Sequence, residues 1–157
     1  QLRAQGYHGL IESPSTVLTP SAIKQLGSVS GVQAVGCYSY SSAGYQAFLA
    51  SMRAHEPSAS LGDEALNGWI GVHTFQTVMN KSSQPLTRAG ILATFNAEKA
   101  LSTSGLTPTI DFTKPPGITG FERAFAPTAV NHTIKDGRLV DVQPVQFLNF
   151  LTGKVIG

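Results

Sequence analysis

The chain has 157 residues, 41% of them hydrophobic and only 13% charged, with eleven basic and nine acidic side chains leaving a formal charge of +2. That length can bury one core without disulfides or metal, and the composition excludes a disordered polymer. The charges are scattered, with no Lys/Arg run and no interleaving of basic and aromatic residues, which excludes a nucleic-acid partner, and no apolar run approaches a membrane span.

Gln1 to Gly6 begin without an initiator Met and read as the last turn of a helix closed by Gly6 at the C′ position, so the chain is expected to be a piece of a longer protein. Gly9 to Ser13 predict a short strand. Thr19 suits a cap, Pro20 the first helical position, Ile23 and Leu26 a buried side, and Gly27 the stop of a short helix. Val32 to Tyr40 are rich in β-branched and aromatic residues, the pattern of a strand buried on both faces. A helix from about Ala43 to Ala54 follows, with Tyr45, Phe48, Leu49 and Met52 on one side, and Pro57 breaks it.

Asp63 to Ala100 carry the strongest pattern, two consecutive amphipathic helices. Leu66, Trp69, Val72, Phe75 and Met79 recur at steps of three and four, so they are expected to form one core stripe. Ser60 and Asp63 make a Ser-x-x-Asp start that can satisfy free backbone N–H groups, and Asn80, Ser82, Ser83 and Pro85 end the run. The second helix starts near Thr87 and is expected to bury Ile91, Leu92, Phe95 and Leu101. Beyond it, Leu106 to Thr113 predict a strand and Lys114-Pro115-Pro116-Gly117 a loop that cannot pair in a sheet. Ile134 to Val140 predict a hairpin, because Asp136-Gly137 accepts the positive φ values of a tight primed turn.

Residues that could carry chemistry are sparse. His8, His55, His73 and His132 lack metal-ligand spacing, so no metal is expected and they read as surface or boundary residues. The lone Cys37 excludes an intrachain disulfide and, within an apolar strand, reads as an inert small hydrophobe. Gly36 to Gly44 contain neither a Gly-x-Ser-x-Gly elbow nor a phosphate-cradling loop. Asn80-Lys81-Ser82 and Asn131-His132-Thr133 match the glycosylation tripeptide, a pattern that also arises by chance. An enzyme would need Cys37 or a serine of the 39–42 cluster, Ser39 first, as nucleophile with a base beside it. The expectation is no catalysis and no cofactor.

The order of pieces is itself informative. Arg3-Ala4-Gln5-Gly6-Tyr7 is followed by a strand, a short helix, a strand ending in Val35-Gly36-Cys37-Tyr38-Ser39-Tyr40, and the helix with Phe48. Then come Asn67-Gly68-Trp69, the Leu86-to-Leu92 helix start, and Lys135-Asp136-Gly137-Arg138. Over nearly its whole length the chain resembles the C-terminal part of the type I periplasmic binding proteins, specifically the branched-chain amino-acid-type substrate-binding proteins of ABC transporters. That resemblance implies an α/β fold, periplasmic-binding-protein-like I in part, from a protein whose two lobes close on a small ligand. It places residues 1–36 in the second lobe, residues 37–129 in a hinge strand and helices of the first lobe, and residues 130–157 in a C-terminal hairpin and the last crossing. The first-lobe loop that holds a ligand carboxylate would lie outside the chain.

The same resemblance implies an extracytoplasmic bacterial protein, periplasmic or a cell-surface lipoprotein, that delivers an amino-acid-like ligand to a membrane permease; a sensor domain of the same fold is the other reading. Many relatives carry an acidic residue before the glycine matching Gly36, whereas Val35 stands here, a departure that bears on the ligand. Tyr38, Ser39 and Tyr40 at the strand exit and Trp69 on its helix are the candidate ligand-binding residues, with core packing the competing reading for Trp69. Helices evolved to cover a sheet from outside the chain would expose Leu66, Trp69, Val72 and Phe75, so self-association or domain exchange is expected.

Overall fold

A computed structural model describes residues 2–26 and 29–156. Strand β1 (Ile11–Pro14) runs through a 3-10 turn (Ser15–Val17) into helix α1 (Pro20–Leu26) and returns as β2 (Val32–Gly36). Helices α2 (Ala43–His55), α3 (Asp63–Met79) and α4 (Arg88–Ala97) follow, then β3 (Thr128–Lys135), β4 (Arg138–Asp141), β5 (Phe147–Asn149) and β6 (Lys154–Ile156). The fold is therefore α/β. Strands β1 and β2 pair in parallel, β3 joins β2 antiparallel, and β4 and β5 both pair with β3, with β6 on β5.

Local signals explain the helix starts. Thr19 Oγ1 accepts the Ala22 N–H at 3.2 Å before Pro20 opens α1; the expected Gly27 stop lies outside the described residues. Ser42 caps α2 through the Tyr45 N–H, and Thr87 caps α4 through the Gly90 N–H. The β3–β4 hairpin turns on Asp136 and Gly137 at φ +52° and +72°, pairing Lys135 with Arg138. At the start, Gly6 closes the short turn Arg3–Gln5 at φ +82°.

Two cores form. One joins Leu18, Ile23, Val32 and Ala34, with Ile134 and Leu139 from the hairpin packed against it. The other joins Phe48, Leu66 and Leu106, with Tyr45, Leu49, Met52 and Trp69 around them. The chain crosses from the first to the second between β2 and α2 and comes back with β3.

The structure corrects several expectations. The strand foreseen over Val32 to Tyr40 stops at Gly36, because the next backbone N–H groups find partners outside a ladder: Ser39 donates to the Leu106 carbonyl, and Tyr40 and Ser41 donate to the Asp141 carboxylate. Cys37 is consequently exposed rather than core. Leu106 to Thr113 form no strand beyond a bridge between Leu101 and Ile110, because Thr107 and Thr113 bond locally to Thr103 and Asp111. Of the stripe expected along α3 only Leu66 is buried; Trp69 and Met79 are half-buried, Val72 is 69% and Phe75 44% exposed, and Val78, outside the stripe, is buried instead. Leu92 of α4 is also exposed. Helix α3 is capped by Gly62 without a side-chain bond, so Asp63 does not serve the capping role foreseen for it.

Candidate ligand-binding cleft

Between the two cores lies a cleft of about 540 Å³. Ser15, Thr16 and the start of α1 form one wall; Tyr45, Gln46, Leu49 and Arg53 of α2 and the start of α3 form the other. Tyr40 and Ser41 of the crossing, with Arg138 to Asp141 of β4, line the cleft between those walls.

Asp141 organises the crossing. Its Oδ2 accepts from Ser39 Oγ at 2.6 Å, Ser41 Oγ at 2.6 Å and the Ser41 N–H at 2.9 Å, while Oδ1 accepts the Tyr40 N–H at 2.9 Å. His132 Nδ1 stands 3.1 Å from the same Oδ1, an approach at ion-pair distance without hydrogen-bond alignment. Burial pushes the Asp141 carboxyl up, but His132 and the donors from Ser39 and Ser41 outweigh it and hold the group well below the usual carboxylate range. Asp141 is thus a weak base, and Ser39, itself buried, is held by it rather than activated.

Asp63 ties the two walls together. Ser15 Oγ, following β1, donates to Oδ2, and the Tyr40 hydroxyl donates to Oδ1 at 2.6 Å. Burial, followed by the Asp63 bond, pushes the Tyr40 hydroxyl far up, so Tyr40 remains a neutral donor. Its ring stacks on His132 at 4.4 Å and lies 4.9 Å from the Tyr45 ring. Gly36 permits this closeness: a Cβ there would lie 2.6 Å from Ser15 Oγ and 2.8 Å from His132 Nε2.

Of the four residues foreseen as ligand contacts, Tyr40 lines the cleft and Ser39 sits just behind it on Asp141. The other two lie elsewhere. Tyr38 donates to Asn67 Oδ1 at 2.6 Å, and Trp69 packs edge-on against Phe48 and 3.9 Å over His73, within the helical core. Although Cys37 is exposed, partial desolvation by the atoms around its thiol, and then Asp63, push the thiol up, the reverse of nucleophile activation.

Sequence reasoning missed Asp63, Asp141 and His132 as site residues. His132, expected at the surface or a boundary, is fully buried. The signal was present: Val130, His132 and Ile134 alternate, so His132 shares the inward face of β3. Asp141 stands between Val140 and Val142, an acid in an apolar run. Asp63 gave no such hint, because in the Ser60-to-Asp63 pattern an acid at a helix start reads first as a partner for free backbone N–H groups.

This arrangement, two cores joined by crossings around a cleft, is the fold of a type I periplasmic binding protein in part. No protein-family model and no curated protein sequence matches the chain. Its structure is similar to that of an extracellular ligand-binding receptor from Rhodopseudomonas palustris HaA2, with a TM-score of 0.57 and 19% identity over 90% of this chain and 42% of the receptor. The chain therefore spans less than half of that receptor's length.

Proposed function

We propose that this chain is part of an extracytoplasmic solute-binding protein that holds a small polar molecule, an amino acid or similar, between two lobes and delivers it to the membrane permease of an ABC importer, without catalysis. The observation that carries the reading is the cleft between the two cores, with Asp63, Tyr40 and the arginines Arg53 and Arg138 on its surface. In this reading residues 1–36 come from the second lobe, residues 37–129 from the hinge and first lobe, and residues 130–157 include the last crossing. The name of the similar receptor supports ligand binding and an extracytoplasmic setting. The weak basicity of Asp141 and the raised Cys37 thiol support the absence of a nucleophile.

Thermal unfolding of the full-length protein with amino acids and related small acids tests the reading. A true ligand at a hundred times its Kd stabilises the folded state by about 2.7 kcal/mol, a readily measured rise in Tm. A panel that leaves Tm unchanged throughout would sink it.

A further inference from the structure

We propose that Ser15 and Asp63 form a latch that holds the two cores closed over the cleft before any solute enters, so that closure is set by the chain's own side chains. Ser15 follows β1 on the wall it shares with α1, and Asp63 opens α3 on the opposite wall. They stand 48 residues apart in sequence, yet Ser15 Oγ donates directly to Asp63 Oδ2 across the cleft. Ser15 is 6% and Asp63 8% exposed, so the bond is sheltered from water. A hydrogen bond to a carboxylate is roughly twice as strong as one between neutral groups, and shelter stops water from competing for either partner.

This bond differs in kind from those that fix the crossing. Asp141 of β4 takes its donors from Ser39, Tyr40 and Ser41, so its network joins the crossing to the hairpin and does not span the cleft from wall to wall. The ring contacts also run through the crossing, with Tyr40 between His132 of β3 and Tyr45 of α2. Swinging one core away from the other about the crossing therefore leaves the Asp141 network in place and separates Ser15 from Asp63. The Tyr40 hydroxyl, bonded to the other Asp63 oxygen, steadies the acceptor from the crossing side. With the latch made, the cleft still has about 540 Å³, room for a small solute. Latching thus pre-organises both walls, which lowers the cost of binding whatever the solute is.

The test is a distance between the walls of the full-length protein with no solute added. Spin labels placed through Lys24→Cys on α1 and His55→Cys on α2, both exposed positions, report it by double electron–electron resonance once the exposed native thiol is removed as Cys37→Ser. With the latch intact, one short and narrow distance is expected. Ser15→Ala removes the donor and should move the closed-to-open ratio about tenfold toward open, the scale of one hydrogen bond to a charged group, seen as a second and longer distance. Asp63→Ser, too short to reach across, should do the same and serves if Ser15→Ala folds poorly. Tyr40→Phe keeps the bond between Ser15 and Asp63 and should keep the single distance. Long distances in the protein with its latch intact, latch variants that stay closed, or Tyr40→Phe opening as far as Ser15→Ala would each overturn the latch. None of these outcomes bears on whether the cleft binds a solute, which the thermal panel decides separately.

Discussion

Asp141 is the residue whose chemistry reaches furthest through the molecule, because its carboxylate fixes the backbone of the crossing through Tyr40 and Ser41. Its folded carboxyl titrates below the unfolded value of about 3.9. The stabilisation it gives is therefore complete above that value and is lost as pH falls toward the folded one. Asp141→Asn should cost about 2–3 kcal/mol near neutral pH, the scale of hydrogen bonds to a charged group. Urea unfolding of both proteins between about pH 5 and pH 2 should show the deficit shrinking as the wild type loses its own advantage. A deficit constant over that range would contradict this account of Asp141. Little of the network was legible beforehand: Ser39 and Tyr40 stood out, but their acceptors lie about a hundred and about twenty residues further on.

At the scale of elements, α2 carries the second core. Phe48 is fully buried, and the rings of Tyr45 and Trp69 each stand 5.8 Å from it. Phe48→Ala should destabilise by about 4 kcal/mol, since neighbours anchored on two helices and a loop cannot collapse into the space. Denaturant unfolding would measure it, and a loss under about 1 kcal/mol would mean that α2 is not a structural centre. Helices α1, α2 and α4 and the β3–β4 hairpin were legible because caps, periodicity and turn chemistry act within a few residues. The segments after Gly36 and around Leu106 were not, because apolar content does not reveal which partner a backbone N–H will find. Ser39 donates its N–H to the Leu106 carbonyl across the chain, while Leu106 donates its own to the nearby Thr103 carbonyl.

For the molecule as a whole, the exposed apolar side chains are the conspicuous liability. Val72, Phe75 and Leu92 of α3 and α4, with Leu86 between the helices, face outward, whereas Leu66 is buried and Trp69 half-buried. The apolar face foreseen for an isolated piece is therefore narrower than the full stripe. A second copy is the occupant a concentrated solution would supply. Light scattering at micromolar concentration should show association, and Val72→Lys combined with Phe75→Ser should shift it toward monomer. A monodisperse wild-type monomer would contradict the expectation.

The sequence by itself determined the local part: where helices start, where the hairpin turns, and which order of elements the α/β fold takes. Those outcomes depend on steric and hydrogen-bonding preferences that span three to seven residues. Only the tertiary structure decided that the strand ends at Gly36, that His132 is buried, and that Asp63 and Asp141 converge on the cleft. Burial of a charge is a property of everything around it, and for Asp141 the hydroxyl donors come from residues a hundred or more positions away.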